Sequence, residues 1–84
     1  MVKEEIWSVP LGRVRDFFLQ QSDALQLGPQ DFSFGSCRIL LSALPPGGSG
    51  MWKRDRTSVR LEGNAEDTAL IYRRFFLQFL STGG

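Results

Sequence analysis

The chain contains no histidine and a single cysteine, Cys37, among its 84 residues. Without histidine it lacks the commonest general base and the commonest transition-metal ligand. One cysteine allows neither an intramolecular disulfide nor a cysteine metal cluster. With no signal-peptide pattern at the start, this points to a reducing, intracellular compartment, cytoplasmic or nuclear. No apolar run approaches the ~18–20 residues of a membrane-spanning helix, so no membrane contact is expected. Charge of one sign is also scarce. Ten Lys and Arg stand against nine Asp and Glu, a net charge of +1, so bulk electrostatics draw the chain to no polyanion.

What is present is a core. The apolar fraction is 42%, with seven Phe and two Trp, which argues against disorder. A chain of this length makes one small domain, burying only about 60–65% of the surface its unfolded form exposes. It therefore packs efficiently or borrows a partner's surface.

The apolar pattern predicts four elements. Ser8 and Pro10 suit a helix start. Leu11, Val14, Phe17, Phe18, Ala24 and Leu25 then share one side of a 3.6-residue wheel, and Gly28-Pro29 makes a stop, so a first helix is expected over 9–26. Glu5-Ile6-Trp7 before it reads as a short edge strand. Cys37, Ile39, Leu41 and Ala43 alternate with Arg38, Leu40, Ser42 and Leu44, a strand that Pro45-Pro46 should stop. Thr57, Val59 and Leu61 alternate with Ser58, Arg60 and Glu62 in a second strand. Asn64 caps a second helix over 65–80, with Glu66 and Asp67 complementing its dipole. The expected fold is α+β: a two-layer αββα sandwich, an antiparallel hairpin with two helices on one face. Two strands make a thin sheet, completed by the N-terminal strand or by dimerisation.

Between the two strands lies Gly47-Gly48-Ser49-Gly50, followed by Met51. This is flexible-linker composition and the only such run in the chain. It reads either as an engineered joint between segments 1–46 and 51–84, which would make the chain a single-chain fusion of two interacting fragments, or as an ordinary loop.

Catalytic patterns are absent. The carboxylates are scattered over helix starts, exposed strand positions and loops. "PPGGSGMWK" lacks the spacing of a phosphate-binding loop. Cys37 shares the parity of Ile39 and Leu41, which marks a packed core thiol rather than a nucleophile. The chain reads as no enzyme, with no cofactor, no metal site and no small-molecule substrate.

Two surfaces remain. Arg38, Arg54, Arg56 and Arg60 share the parity opposite the core, with Trp52 nearby as a stacking platform. A basic, aromatic sheet face is one way to hold single-stranded nucleic acid, and an ion-paired or solvated face is the bland alternative. In helix 2, Ala65, Ala69, Tyr72, Phe76, Phe79 and Leu80 form the expected core stripe. Ile71 and Phe75 widen it on one side, and Leu70 and Leu77 lie on the other. That is more apolar surface than one core needs. Leu70, Ile71, Arg74, Phe75 and Leu77 are thus the expected interface with a protein partner or a second copy. The favoured function is a non-catalytic protein–protein interaction or assembly module, and the alternative is a nucleic-acid-binding domain using the Arg-rich sheet face.

Overall fold

The computed structural model describes residues 1–47 and 54–80. The order is β1 (Val2–Trp7), α1 (Leu11–Leu19), β2 (Leu25–Gly28), β3 (Asp31–Phe34), β4 (Cys37–Gly47), β5 (Arg54–Glu62) and α2 (Ala65–Phe79). Burial alternates with a period of two along β1, β3 and β5 and the first half of β4, but not along the short β2. The strands form one sheet in the order β1-β5-β4-β3-β2, antiparallel throughout. The α+β class is as expected, and the N-terminal strand is there, pairing Val2 with Glu62 through Trp7 with Thr57. The expected four-element αββα order is corrected to βαββββα.

The largest correction falls on the first helix. α1 ends at Leu19, not near residue 26, and starts after Pro10 with no side-chain cap from Ser8. Its last turn tightens: the Gln20 amide reaches both Asp16 and Phe17 carbonyls, and the Gln21 amide bonds Phe18. Leu25 and Gln26 then pair with Ser33 and Phe32. Gly28-Pro29, read as a helix stop, belongs to the tight β2–β3 connection.

Pro45-Pro46 does not stop β4, which continues to Gly47 with a register shift between Leu44 and Gly47. The physical reason is position. β3 leaves the ladder at Leu40, so beyond Leu41 only β5 flanks β4. Proline is tolerated at an edge or a bulge because no neighbour needs its missing N–H. Gly47 thus lies in β4, and the rest of the proposed joint, 48–50, lies outside the described residues.

One face of the sheet is covered. Trp7, Phe32, Phe34, Cys37, Ile39, Leu41, Val59 and Leu61 point to it and form one cluster with Val14, Phe17 and Phe18 of α1 and Ile71, Phe75 and Phe79 of α2. Phe75 is its hub: its ring stacks on Phe18 at 5.7 Å and meets Trp7 edge-on at 5.0 Å. The α2 start is fixed as expected, the Asn64 side chain accepting from the Asp67 amide at 2.8 Å. Asp67 in turn accepts from the Ser36 amide at 2.8 Å, tying the β3–β4 turn to the helix. Gly63 makes this approach possible. A Cβ there would sit 2.6 Å from the Cys37 Cα.

Candidate functional site

Aromatic residues at 72, 75, 76 and 79 leave the phase of α2 open in the sequence, because either flank can face the sheet. The fold selects Thr68, Ile71, Phe75 and Phe79 as the buried stripe. Ile71 and Phe75, expected at a partner interface, are fully buried and belong to the core. Phe76, expected in the core stripe, is only half-buried on the rim. Arg74 is also used internally. Its Nη1 donates to both oxygens of Asp23 at 2.9 and 3.1 Å, and its guanidinium lies 5.1 Å from the Phe34 ring centre. The Arg74 hydrogen bond holds the Asp23 carboxyl below its ordinary value. Leu70 and Leu77 are left outside at 45% and 60% exposure, joined by Leu80 at 54%, which sequence reading had placed in the core stripe.

The open face of the sheet carries the arginines, in register with acids. Arg38 grips Asp31 through Nε at 3.0 Å and Nη2 at 2.5 Å, and this hydrogen bonding keeps the Asp31 carboxyl low. Arg60 bridges Glu4 at 3.0 Å on β1 and Glu62 at 3.3 Å on its own strand. Arg56 turns its Nε and Nη2 onto the Pro45 carbonyl oxygen at 3.2 and 3.1 Å, holding the bulged end of β4. Arg54 makes no ion pair among the described residues. Trp52 lies outside the described residues. Between the pairs, Ser42 opposes Ser58, and their small side chains form the floor of a shallow groove of about 340 Å³ walled by Leu40, Leu44, Glu4 and Arg60.

Cys37 is fully buried, and burial pushes its thiol above the ordinary value, the opposite of an activated nucleophile. The Thr68 hydroxyl is also buried, with no hydrogen-bond partner among the described residues. No group of three metal-ligating side chains occurs among the described residues. No helix among them is long and apolar enough to cross a membrane.

Sequence reading missed the charge cluster at β1. Glu5 Oε1 accepts from the Tyr72 hydroxyl at 2.8 Å and the Trp7 indole at 3.2 Å, and Lys3 Nζ lies 4.2 Å from the Tyr72 ring centre. Burial, then Glu5, raises the Tyr72 phenol to about 12. Val2-Lys3-Glu4-Glu5-Ile6-Trp7 carries no apolar alternation; its alternating burial appears only in the fold. No protein-family model and no curated protein matches this chain.

Proposed function

We propose that the chain is a non-catalytic protein–protein interaction module whose contact surface is the outer face of α2. The observation that carries this reading is the line of Leu70, Leu77 and Leu80, exposed at 45%, 60% and 54% on the side away from the core. With Arg73 between them, these positions follow the alternating three- and four-residue spacing that a partner helix or apolar groove reads. A single exposed leucine needs no explanation, but three aligned on one helix face form an apolar strip with no internal use. Ile71 and Phe75 support that strip from beneath, and Arg74 fixes the helix against the α1–β2 connection. The test is parallel capture with folded wild-type and Leu77→Glu baits. A partner held by the first and lost by the second supports the reading; identical capture by both overturns it.

The nucleic-acid alternative starts from arginines already answered by carboxylates: Arg38 by Asp31, and Arg60 by Glu4 and Glu62. Titration with single-stranded oligonucleotides at several salt concentrations decides it, since phosphate contacts weaken steeply with salt. The reading of 1–46 and 51–84 as two interacting fragments is tested by producing them as separate chains. β4 lies almost wholly in the first and β5 in the second, and the two share an extended ladder. Assembly of the separate chains into a folded unit supports the fragment reading.

A further inference from the structure

The sheet has two outer strands, and they differ in how well they could accept a neighbour. β2 is four residues long, irregular between Gln26 and Gly28, and followed at once by Pro29. Short strands, bulges and proline all close an edge. β1 pairs over six residues without a register shift and leaves its other side open.

The orientation of that open side follows from the hydrogen bonds at its start. Met1 and Gly63 exchange both main-chain bonds, at 2.7 and 3.0 Å. Antiparallel pairs alternate, so Lys3, Glu5 and Trp7 direct their N–H and C=O groups to β5, and Val2, Glu4 and Ile6 direct theirs outward. We propose that a second copy of this chain pairs with this edge, β1 antiparallel to β1, about a two-fold axis through Glu4.

Three features select that occupant and that register. Outward groups belong only to even-numbered residues, so only registers setting even opposite even make hydrogen bonds. Among these, centring on Glu4 uses all three outward residues and forms about six main-chain bonds. In this register Val2 lies opposite Ile6 of the second copy on the open face. These are the two exposed apolar residues of the strand, at 57% and 60%. On the covered side Lys3 lies opposite Glu5 of the second copy, twice by symmetry. Glu5 takes both its hydrogen bonds on Oε1, leaving Oε2 for that lysine. Opposite charges facing each other across strands stabilise the pairing. One contact opposes it: Glu4 meets its own copy at the axis, each tempered by its Arg60 at 3.0 Å. The association is therefore modest and salt-sensitive. This surface goes beyond the α2 strip and rests on different residues, so the two fail separately.

Sedimentation velocity of the whole chain over a range of concentrations tests it. Wild type is expected to pass from monomer to dimer as concentration rises. Glu4→Pro deletes an outward N–H that no internal strand uses, so the monomer keeps its circular dichroism spectrum and the dimer is lost. Glu4→Gln removes the like-charge contact and tightens the dimer by about two- to fivefold. Lys3→Glu and Glu5→Lys each weaken self-association, and mixing the two restores it, because each then faces an opposite charge in the proposed register. Wild type that stays monomeric throughout overturns the proposal. So does a dimer that survives Glu4→Pro but is lost in Leu77→Glu, which would place the contact on α2, and so does a mixture that fails to recover.

Discussion

The covered and open faces of the sheet are built from alternate residues of the same strands, yet they are held by different physics. On the covered face, β4 and β5 present Cys37, Ile39, Leu41, Thr57, Val59 and Leu61, all buried. On the open face the same two strands present Arg38, Leu40, Ser42, Ser58, Arg60 and Glu62, with exposed ion pairs reaching from Arg38 to Asp31 on β3 and from Arg60 to Glu4 on β1. Removing a covered side chain leaves a cavity that neighbours cannot fill. Removing an open one leaves water to take its place. The two faces should therefore answer mutation on different scales.

The largest effect is expected at Phe75, whose ring touches Trp7, Phe17, Phe18 and Phe79 and is fully buried. Phe75→Ala should cost about 3–5 kcal/mol, a large part of the stability of a domain this small. Phe76→Ala, one position along and half-buried on the rim, should cost clearly less. Urea unfolding of the pair checks this, and equal losses would mean that the core hub lies elsewhere.

Thr57 is the polar exception among the buried residues of β4 and β5. Its hydroxyl donates to the Val9 carbonyl at 2.6 Å, and both residues are buried. Thr57→Val keeps the shape and leaves that carbonyl unpaired, at an expected cost of about 1–3 kcal/mol. A thermal melt indistinguishable from wild type would show that water or a backbone shift replaces the bond.

These contrasts also explain what was legible in the sequence. The β4 and β5 alternation, the Asn64 cap and the buried thiol were readable because each is a local pattern with one structural meaning. β2 and β3 were not. Leu25 falls on the same wheel face as Phe17 and Phe18, so helix and strand explain it equally well until Ser33 is seen opposite it. Gly28-Pro29 ends a helix or turns a hairpin with the same chemistry. Phe32 and Phe34 do alternate with Asp31 and Ser33, but four residues are too few to separate a strand from a loop by period alone. At the candidate site, Leu70 and Leu77 lie exposed, whereas Ile71 and Phe75 are buried in the core and the half-buried Arg74 pairs with Asp23. An α2 with aromatic residues on both flanks has no phase until the sheet supplies one. Of the acids that neutralise Arg38 and Arg60, Glu62 lies on the same strand as Arg60, whereas Asp31 comes from β3 and Glu4 from the start of β1, two segments not read as strands.

A smaller effect is expected at the rim, where Tyr72 joins α2 to β1. Its phenol is raised from 10.0 to about 12 by burial and by Glu5, so the fold favours the neutral form. That contribution is whole below pH 10.0 and is lost as pH rises through about 12. Tyr72→Phe should flatten the decline of stability across this alkaline window, leaving neutral pH little changed. Urea midpoints at a series of pH values read the difference directly. An unchanged alkaline limb would assign the decline to other groups.

The smallest effect belongs to the open face, at the Arg38–Asp31 pair. The bond is bidentate, but Arg38 is well exposed, and screening by water leaves an exposed ion pair little net worth. Arg38→Gln is therefore expected to leave the melting temperature at neutral pH almost unmoved. Its trace should appear only in acid. The Arg38 hydrogen bond lowers the Asp31 carboxyl below its ordinary 3.8, so its stabilisation is present above that value and disappears as pH falls through the lower folded one. In Arg38→Gln the Asp31 carboxyl should titrate nearer 3.8, visible in the carboxyl carbon shift by NMR, and the acid limb of the stability curve should lose that contribution. A marked loss of stability at neutral pH would reverse the contrast between the faces, because the open side would then be holding the strands together rather than decorating them.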